Sequence, residues 1–481
     1  MNNIESLHPH GIWHFFSQFC QIPHTSKHEQ ALAKWICNWA QSQQLEHQQD
    51  HAGNIIIKKP ASKGFEDRAG IILQAHIDMV GQKDPASQHN FLTDPILPQI
   101  NNNWLSATAT TLGADNGIGA SSCLAILADK TIKHPALEVL LTVDEEAGMT
   151  GAFALQPNVL QGKFLINTDS EEEGEICIGG AGGINAVLKT TFEPQTAKLN
   201  NALKIKLSGL QGGHSGCDIH LGKGNAIKII IRILNALKNS QVIEIAEIQG
   251  GSLRNAIPRE ATAILHVSKV TAAEKIIAQE LANIQTELPN ETNLQLEINV
   301  CQAIASVFSQ QDSNKILNVF NACTNGVFAM SQTVTGVVES SSNLAILNAS
   351  PQNLEAHFLL RALRQSSLQY LAKSLNSTFE LAELKLNFTG EYPAWTPAPH
   401  SQILTIAQQS YEQLFSVKPK VYVVHAGLEC GLFKTHYPEL EMISIGPTIV
   451  NPHSPSEKVE IKSVSKYWQL LLKILENAPE N

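Results

Sequence analysis

A regular alternation of apolar strands and amphipathic helices fills the chain to about residue 186, stops, and resumes near residue 398. That interruption constrains the fold more than any other feature. "GIWHFFSQFCQ" and "EQALAKWICNWAQSQQ" carry apolar residues at helical spacing, while "NIIIKK", "GIILQAHIDMV", "ALEVLLTV" and "KFLINTD" read as strands. "NGIGASSCLAILAD" reads as a helix entered through Asp115 and Asn116, both capping types. Such alternation predicts the α/β class: an α/β/α layered domain with a mostly parallel or mixed sheet. Between 187 and 397 the style changes. "LKIKLSGL", "AIKIIIRILNALKN", "ATAILHVSK" and "NLEAHFLLRAL" suggest an α+β unit, closed by the Pro-rich connector "EYPAWTPAPH". "ILTIAQQSYEQLF", "KVYVVHAGL", "EMISIG" and "SVSKYWQLLLKIL" then return to the first style. The expected organisation is one domain from 1–186 and 398–481, interrupted by an insertion over 187–397. The length of 481 residues favours two cores over one.

Composition narrows the function classes. The net charge of −10 argues against nucleic acid or an anionic membrane surface as partner, and the basic spots "IIKKP" and "KPK" are short. No stretch is apolar for long enough to span a bilayer. "MNNIESLHPHGIWHFF" lacks the basic and apolar regions of a signal peptide. The 8 cysteines include no C-x-x-C pair, which suits reduced thiols in the cytoplasm.

Five short segments place histidine or carboxylate at strand ends or Gly-rich turns: "HID" with His76 and Asp78, "GADNG" with Asp115, "TVDEEAG" with Glu145 and Glu146, "NTDSEEEGE" with Asp169, and "NPHSP" with His453. Residues i and i+2 of a strand share a face, so His76 and Asp78 are expected side by side at the carboxyl end, where open α/β sheets place ligands. Each segment alone has a plainer reading. His76 could be a satisfied structural histidine, Asp115 only a helix cap, "DSEEEGE" a solvated acidic loop, and His453 part of a rigid surface loop. Together they sit beside buried segments, where charges are costly unless paired or metal-bound. Two histidines with three carboxylates would coordinate a pair of divalent ions. One carboxylate must then bridge, since ions sharing a hydrolytic water lie about 3.5–4 Å apart. A nitrogen and oxygen set without sulfur suits zinc, cobalt or manganese. Asp78 is placed to accept the second ring N–H of His76. Which acid does what does not follow from the spacing.

"LQAHIDMV", "TTLGADNGIGA", "LLTVDEEAGM", "INTDSEEEGEI", "GGHSG", "GGSLRNAIPRE", "HAGLECGLF" and "SIGPTIVNPHSP", in this order, resemble the zinc aminopeptidase and carboxypeptidase family that includes dipeptidases, aminoacylase and bacterial carboxypeptidases. The resemblance runs from "QIPHTSKHE" to the last helix and is closest to members that cleave Xaa-His dipeptides. It implies that His76, Asp115 and Asp169 hold one metal ion and Asp115, Glu146 and His453 the other. Two divalent ions per subunit are implied, zinc first, with cobalt or manganese as alternatives. It further implies that Asp78 orients His76, and that Glu145 is the general base for a metal-bridging water. Glu171, Glu172 and Glu173 stay unassigned and default to a solvated loop.

The resemblance also gives the insertion work to do. His214 of "QGGHSG" would reach the active site of the partner subunit and polarise the scissile carbonyl, so the insertion serves as lid and dimerisation domain. Asn255 and Arg361, favoured over Arg364, would grip the substrate's C-terminal carboxylate, a task for which the guanidinium fork is suited. Glu429 is a candidate contact for the free amine, with a buried structural carboxylate as the equal alternative. The function implied is a cytosolic homodimeric dipeptidase acting on Xaa-His and other unblocked dipeptides. An N-acyl-amino-acid amidohydrolase and a non-catalytic, metal-dependent peptide-binding protein are the alternatives. A serine nucleophile is not supported, because "GGHSG" does not match G-x-S-x-G.

Overall fold

The computed structural model describes residues 4–481. The chain forms two compact units. One runs to Gly179 and takes in Pro397–Val423 and Leu428–Asn481; the other comprises Gly180–Thr396 and Val424–Gly427. The expected boundary at 186/187 falls inside a strand, Gly182–Thr190. "GGAGGINAV" looks like a breaker, yet Gly182 and Gly183 already pair with Ala362 and Arg361 of the second unit's sheet, so the whole strand goes with it.

The first unit has the expected α/β class. Its longer helices are α1 (His10–Gln21), α2 (Gln30–Ser42), α3 (Ala114–Ala128), α4 (Gln402–Phe415) and α5 (Ile461–Glu476). Its main sheet contains β1 (Glu46–Gln49), β2 (Ile55–Lys59), β3 (Ile71–His76), β4 (Leu137–Thr142), β5 (Phe164–Asn167), β6 (Glu175–Gly180), β7 (Lys420–Val424) and β8 (Glu441–Ser444). The spatial order is β1-β2-β4-β3-β5-β8-β6-β7. β3 runs parallel to β4 and β5, and β5 parallel to β8, while β2 meets β4 antiparallel, so the sheet is mixed. Every residue of β3, β4 and β5 is buried, as continuous apolar runs require when a strand is covered on both faces. α1 buries Ile12, Trp13, Phe15, Phe16 and Phe19 at helical spacing. His76 is in register with Thr142, and Gln74 with Asn167, so three carboxyl ends open side by side. A small antiparallel sheet joins Pro98–Asn101, Trp104–Ala107, Lys458–Glu460 and Ile449–Val450. Ile449 pairs with Val459, which makes the "NPHSP" segment the loop of a hairpin.

The second unit is built on a nine-stranded sheet whose pairings are all antiparallel among the described residues. Helices Ala226–Ser240 and Gln365–Glu380 pack on it. The first of these buries Ile227, Ile230, Ile231, Leu234 and Leu237, and Asn225 caps it by accepting from the N–H groups of Ile227 and Lys228. The expected connector "EYPAWTPAPH" begins as strand, since Leu386–Tyr392 extends into it. No helix of the described residues is long and apolar enough to cross a membrane.

Candidate active site

β3 ends at His76, so Asp78 does not lie beside it on the strand as expected. The chain turns instead, and His76 Nδ1–H donates to the main-chain carbonyl of Asp78 at 3.0 Å. Asp78 Oδ1 lies 3.3 Å from the same nitrogen. The Asp78 carboxylate also accepts from Ser26 Oγ at 2.7 Å and from the N–H groups of Glu145 and Glu146 at 3.0 and 3.1 Å. Burial opposes its charge, but His76 and these donors outweigh it and bring the carboxyl down to about 2. One residue thus orients the imidazole, through its main-chain carbonyl and its carboxylate, while the carboxylate also pins the turn that carries two further acids.

With Nδ1 committed as donor, His76 Nε2 faces Asp115 Oδ1 at 3.3 Å and Asp169 Oδ1 at 3.2 Å. The other oxygen of Asp115, Oδ2, lies 3.3 Å from His453 Nε2, which is also 2.8 Å from Glu146 Oε1. His76, Asp115 and Glu146 each offer a ligand atom, all within 4.8 Å of one another. Each Nε2 therefore faces two carboxylate oxygens, and a positive charge, a proton or a metal ion, has to lie between them. The titration follows. Burial works against charge on His76, but Asp169 and the hydrogen bonds with Asp115, Asp169 and Asp78 hold it well above the usual histidine range. Hydrogen bonds to Asp115 and Glu146 push His453 up to about 11. Burial resists ionisation of Asp115, yet contact with both imidazoles lowers it. Burial raises Asp169 to about 6.

Asp115 is not the helix cap that its position suggests. Gly113 occupies the cap position in the left-handed region (φ 73°), and Asp115 and Asn116 have non-helical backbone. Glu457 holds the N–H groups of Leu112, Gly113, Ala114 and Asp115, while the Asp115 carboxylate faces the two histidines. Asn116 Nδ2 donates to Asp169 Oδ1 and, at 3.0 Å, to the carbonyl of Thr168, anchoring the third carboxylate.

Glu145 opens a one-turn helix, Glu145–Gly148, after Asp144 in the left-handed region. Asp144 N–H donates to Glu29 Oε1 at 3.0 Å, a second brace on this turn from the N-terminal segment. Burial pushes the Glu145 carboxyl well up, His76 opposes, and Asp169, Glu146 and Glu429 add to the rise. Glu429 is 2% exposed. Its Oε2 accepts from Gln74 Nε2 at 2.7 Å and Thr142 Oγ1 at 2.8 Å, its Oε1 has no partner, and burial raises it to about 8. Gln74 in turn accepts from Asn167 at 2.6 Å, so a polar layer lies beside the histidine–carboxylate cluster.

The acidic run after Asp169 is not a solvated loop throughout. Glu172 is exposed, but Glu173 accepts from Tyr411 at 2.8 Å and Lys466 at 3.0 Å. Burial, with Asp115 and Asp169 adding to the rise, pushes Glu171 up to about 8. The sequence reading missed Ser26, Glu29, Gln74 and Glu457. Each sits in a polar stretch or an apolar run where nothing local marks it, and only its partner, far away in the chain, gives it a role.

In the second unit, His214 lies on a two-residue strand paired with Ala256–Ile257. Its Nδ1 accepts from the N–H groups of Gly216 at 3.3 Å and Cys217 at 3.0 Å, which leaves the proton on Nε2. Burial and the charge of Arg361 lower it to about 4, so it is a neutral donor at neutral pH. Arg361 donates to Tyr392 Oη at 2.7 Å, lies 3.4 Å from His214 Nε2, and its Nε has no partner. Arg364 is committed elsewhere, to Glu339 at 2.6 Å. Asn255 is exposed, and its carbonyl accepts from Ser215 N–H at 2.8 Å.

Residues 72–477 match peptidase family M20/M25/M40. The sequence is 43% identical over 487 residues to the cytosol non-specific dipeptidase of Escherichia coli K12, covering 100% of both chains. The structure is similar to that of aminoacylhistidine dipeptidase from Vibrio alginolyticus, with a TM-score of 0.92, 45% identity, and coverage of 99% of this chain and 98% of that one. Aminopeptidase PepT from Bacillus cereus shares the fold at a TM-score of 0.56 and 15% identity, over 98% of this chain and 99% of its own.

Proposed function

The chain belongs to peptidase family M20/M25/M40, and on that premise we propose that it is a cytosolic dipeptidase that cleaves Xaa-His and other dipeptides with a free amine, using two divalent ions. The observation that carries this reading is the divided contact of Asp115, one oxygen toward His76 and the other toward His453. A carboxylate so placed suits a bridge between two cations. His76, Asp115 and Asp169 would hold one ion, and Asp115, Glu146 and His453 the other. The donor set is imidazole and carboxylate without thiolate, which suits zinc, with cobalt or manganese as alternatives. When bound, such a pair supplies a water activated near neutral pH and an electrophile for the scissile carbonyl.

The chain's own residues supply the rest. Asp78 fixes the tautomer of His76 and the place of the Glu145–Glu146 turn. Glu145 accepts the proton of the attacking water and returns it to the leaving amine, and its raised carboxyl value suits a base that must also act as an acid. His214, neutral with its proton on Nε2, is in the state needed to donate to the carbonyl oxygen as charge develops there. It would do so in the partner subunit's site, with the second unit, Gly180–Thr396 and Val424–Gly427, as lid and dimer contact. Arg361 with Asn255 would take the substrate's C-terminal carboxylate, and the unpartnered Nε of Arg361 supports this. Glu429 would meet the free amine.

The names of the two relatives above 40% identity support the substrate class. The test is hydrolysis of alanyl-histidine, alanyl-alanine and N-acetyl-alanyl-histidine before chelation, after it, and after zinc, cobalt or manganese is restored. Cleavage of the free dipeptides alone, lost and regained with metal, is expected. Cleavage of the acetylated compound would make the protein an amidohydrolase of blocked amino acids. Binding without cleavage under every metal would make it a peptide-binding protein.

A further inference from the structure

Glu457 is 2% exposed, carries a carboxylate, and takes no part in the reaction as described. A buried carboxylate is costly unless its oxygens are hydrogen-bonded. Here four successive main-chain N–H groups converge on it. Those of Leu112 and Gly113 donate to Oε2 at 2.6 and 3.0 Å, and those of Ala114 and Asp115 to Oε1 at 2.8 and 3.3 Å. Two of the four, Ala114 and Asp115, are the first residues of α3, whose leading N–H groups have no partner within the helix. The concavity depends on Gly113 at φ 73°, where an added Cβ would come 2.9 Å from Met79 Sδ.

The last member of this cradle is the backbone of Asp115 itself. Glu457 also belongs to the hairpin loop that presents His453, and its own N–H donates to Ser454 at 2.9 Å within that loop. One carboxylate therefore ties the segment bearing Asp115 to the segment bearing His453, whose side chains meet at 3.3 Å. We propose that Glu457 is a positioning residue for the metal ligands, setting the places of Asp115 and His453 together. The inference rests on the two-ion reading above. It assigns to Glu457 the affinity of the ion held by Asp115, Glu146 and His453, more than that of the ion held by His76, Asp115 and Asp169. In the latter set, His76 and Asp169 have their own supports in Asp78 and Asn116.

The experiment compares wild type with Glu457→Gln, which keeps the volume but turns an NH2 toward N–H groups, and with Glu138→Gln. Glu138 is a buried carboxylate at the opposite end of β4 that accepts from the N–H groups of Gln161 and Gly162 at 2.7 and 2.8 Å. Zinc stoichiometry and dissociation constants are read by competition with a chromophoric chelator, alongside kcat, KM and the Tm of the metal-free protein. Wild type is expected to bind two ions. Glu457→Gln is expected to bind one of them about 10- to 100-fold more weakly, the range for partners that orient metal ligands, with kcat recovering at saturating zinc and KM unchanged. Glu138→Gln is expected to lower Tm and leave both dissociation constants as in wild type. If Glu457→Gln lowers Tm but keeps both wild-type constants, the positioning role is overturned and Glu457 is a structural cap. Should that variant not fold, Glu457→Asp withdraws the carboxylate from the cradle, and unchanged affinity there overturns the role equally. Wild type that binds no zinc, or a single ion, overturns the two-ion reading instead, a separate outcome.

Discussion

Asp115 and His453 are 338 residues apart in the chain, yet Asp115 Oδ2 lies 3.3 Å from His453 Nε2. The second oxygen of the same carboxylate faces His76. Without a metal ion, protons on the two imidazoles supply the positive charge that this crowd of oxygens requires. His453 is raised to about 11 and His76 well above its ordinary value, so in the metal-free protein the surroundings of both favour the protonated imidazole.

Zinc binding must displace those protons. Affinity is therefore expected to rise with pH and to fall as pH drops, with protons released to the buffer on binding. Calorimetric titration in two buffers of different ionisation enthalpy measures the release. A binding enthalpy that is the same in both buffers would contradict the arrangement.

Asp78→Asn replaces one acceptor oxygen by a donor. The side chain then faces the N–H groups of Glu145 and Glu146, the Ser26 hydroxyl and His76 with mismatched polarity. Zinc affinity or activity is expected to fall about 10- to 100-fold. Metal titration with kcat at saturating zinc separates the two effects.

Glu145→Gln removes the proposed base but none of the proposed ligands. Both ions are expected to remain bound while kcat falls about 10²- to 10⁴-fold. His453→Ala is the contrast: metal and turnover are expected to be lost together, and metal analysis beside activity distinguishes the two variants.

His214→Ala is expected to keep both ions and lower kcat about 10²- to 10³-fold, the cost of removing one donor to a developing oxyanion. The wild-type contribution should not titrate between about pH 6 and 8, because His214 is already neutral there. Full activity in the variant would remove the oxyanion role.

Glu429 tests stability. Its carboxyl sits at about 8 in the fold against an ordinary 4.5, so the folded state binds a proton that the unfolded state has released. The stabilisation is present below about pH 4.5 and is lost as pH rises toward about 8. The Tm of the metal-free protein should fall over that window, and less steeply in Glu429→Gln. If Glu429 also meets the substrate's amine, the same substitution raises KM for free dipeptides. An unchanged KM leaves it as a buried brace.

The layered α/β architecture was legible because runs such as "GIILQAH" and "ALEVLLTV" are apolar on both faces, which only a covered strand tolerates. That His76, Asp115, Glu146, Asp169 and His453 belong together was legible from their places beside buried runs and Gly- or Pro-bounded turns; their roles as ligands come from the family resemblance. What the local pattern could not give was the destination of each side chain. Asp115 is a capping type that does not cap: Gly113 holds the cap position, a carboxylate from far down the chain accepts from the leading N–H groups, and the Asp115 side chain faces the histidines. Glu173 reads as a solvated acid, but Tyr411 and Lys466 claim it. Glu457 lies in "SEKVE", a polar run with no local sign that its first glutamate is buried. These roles come from long-range pairing, which a window of neighbouring residues does not contain.

β8, at Glu441–Ser444, lies between β5 and β6 in the sheet although β5 ends at Asn167. During synthesis that edge of β5 therefore lacks its final partner until residues 441–444 have been delivered. An open strand edge in a nascent chain is a site for errant pairing. His453 follows β8, so the proposed ligand set also closes only after it. A ribosome-stalled chain ending before residue 441 has neither the finished sheet nor His453 beside Asp115.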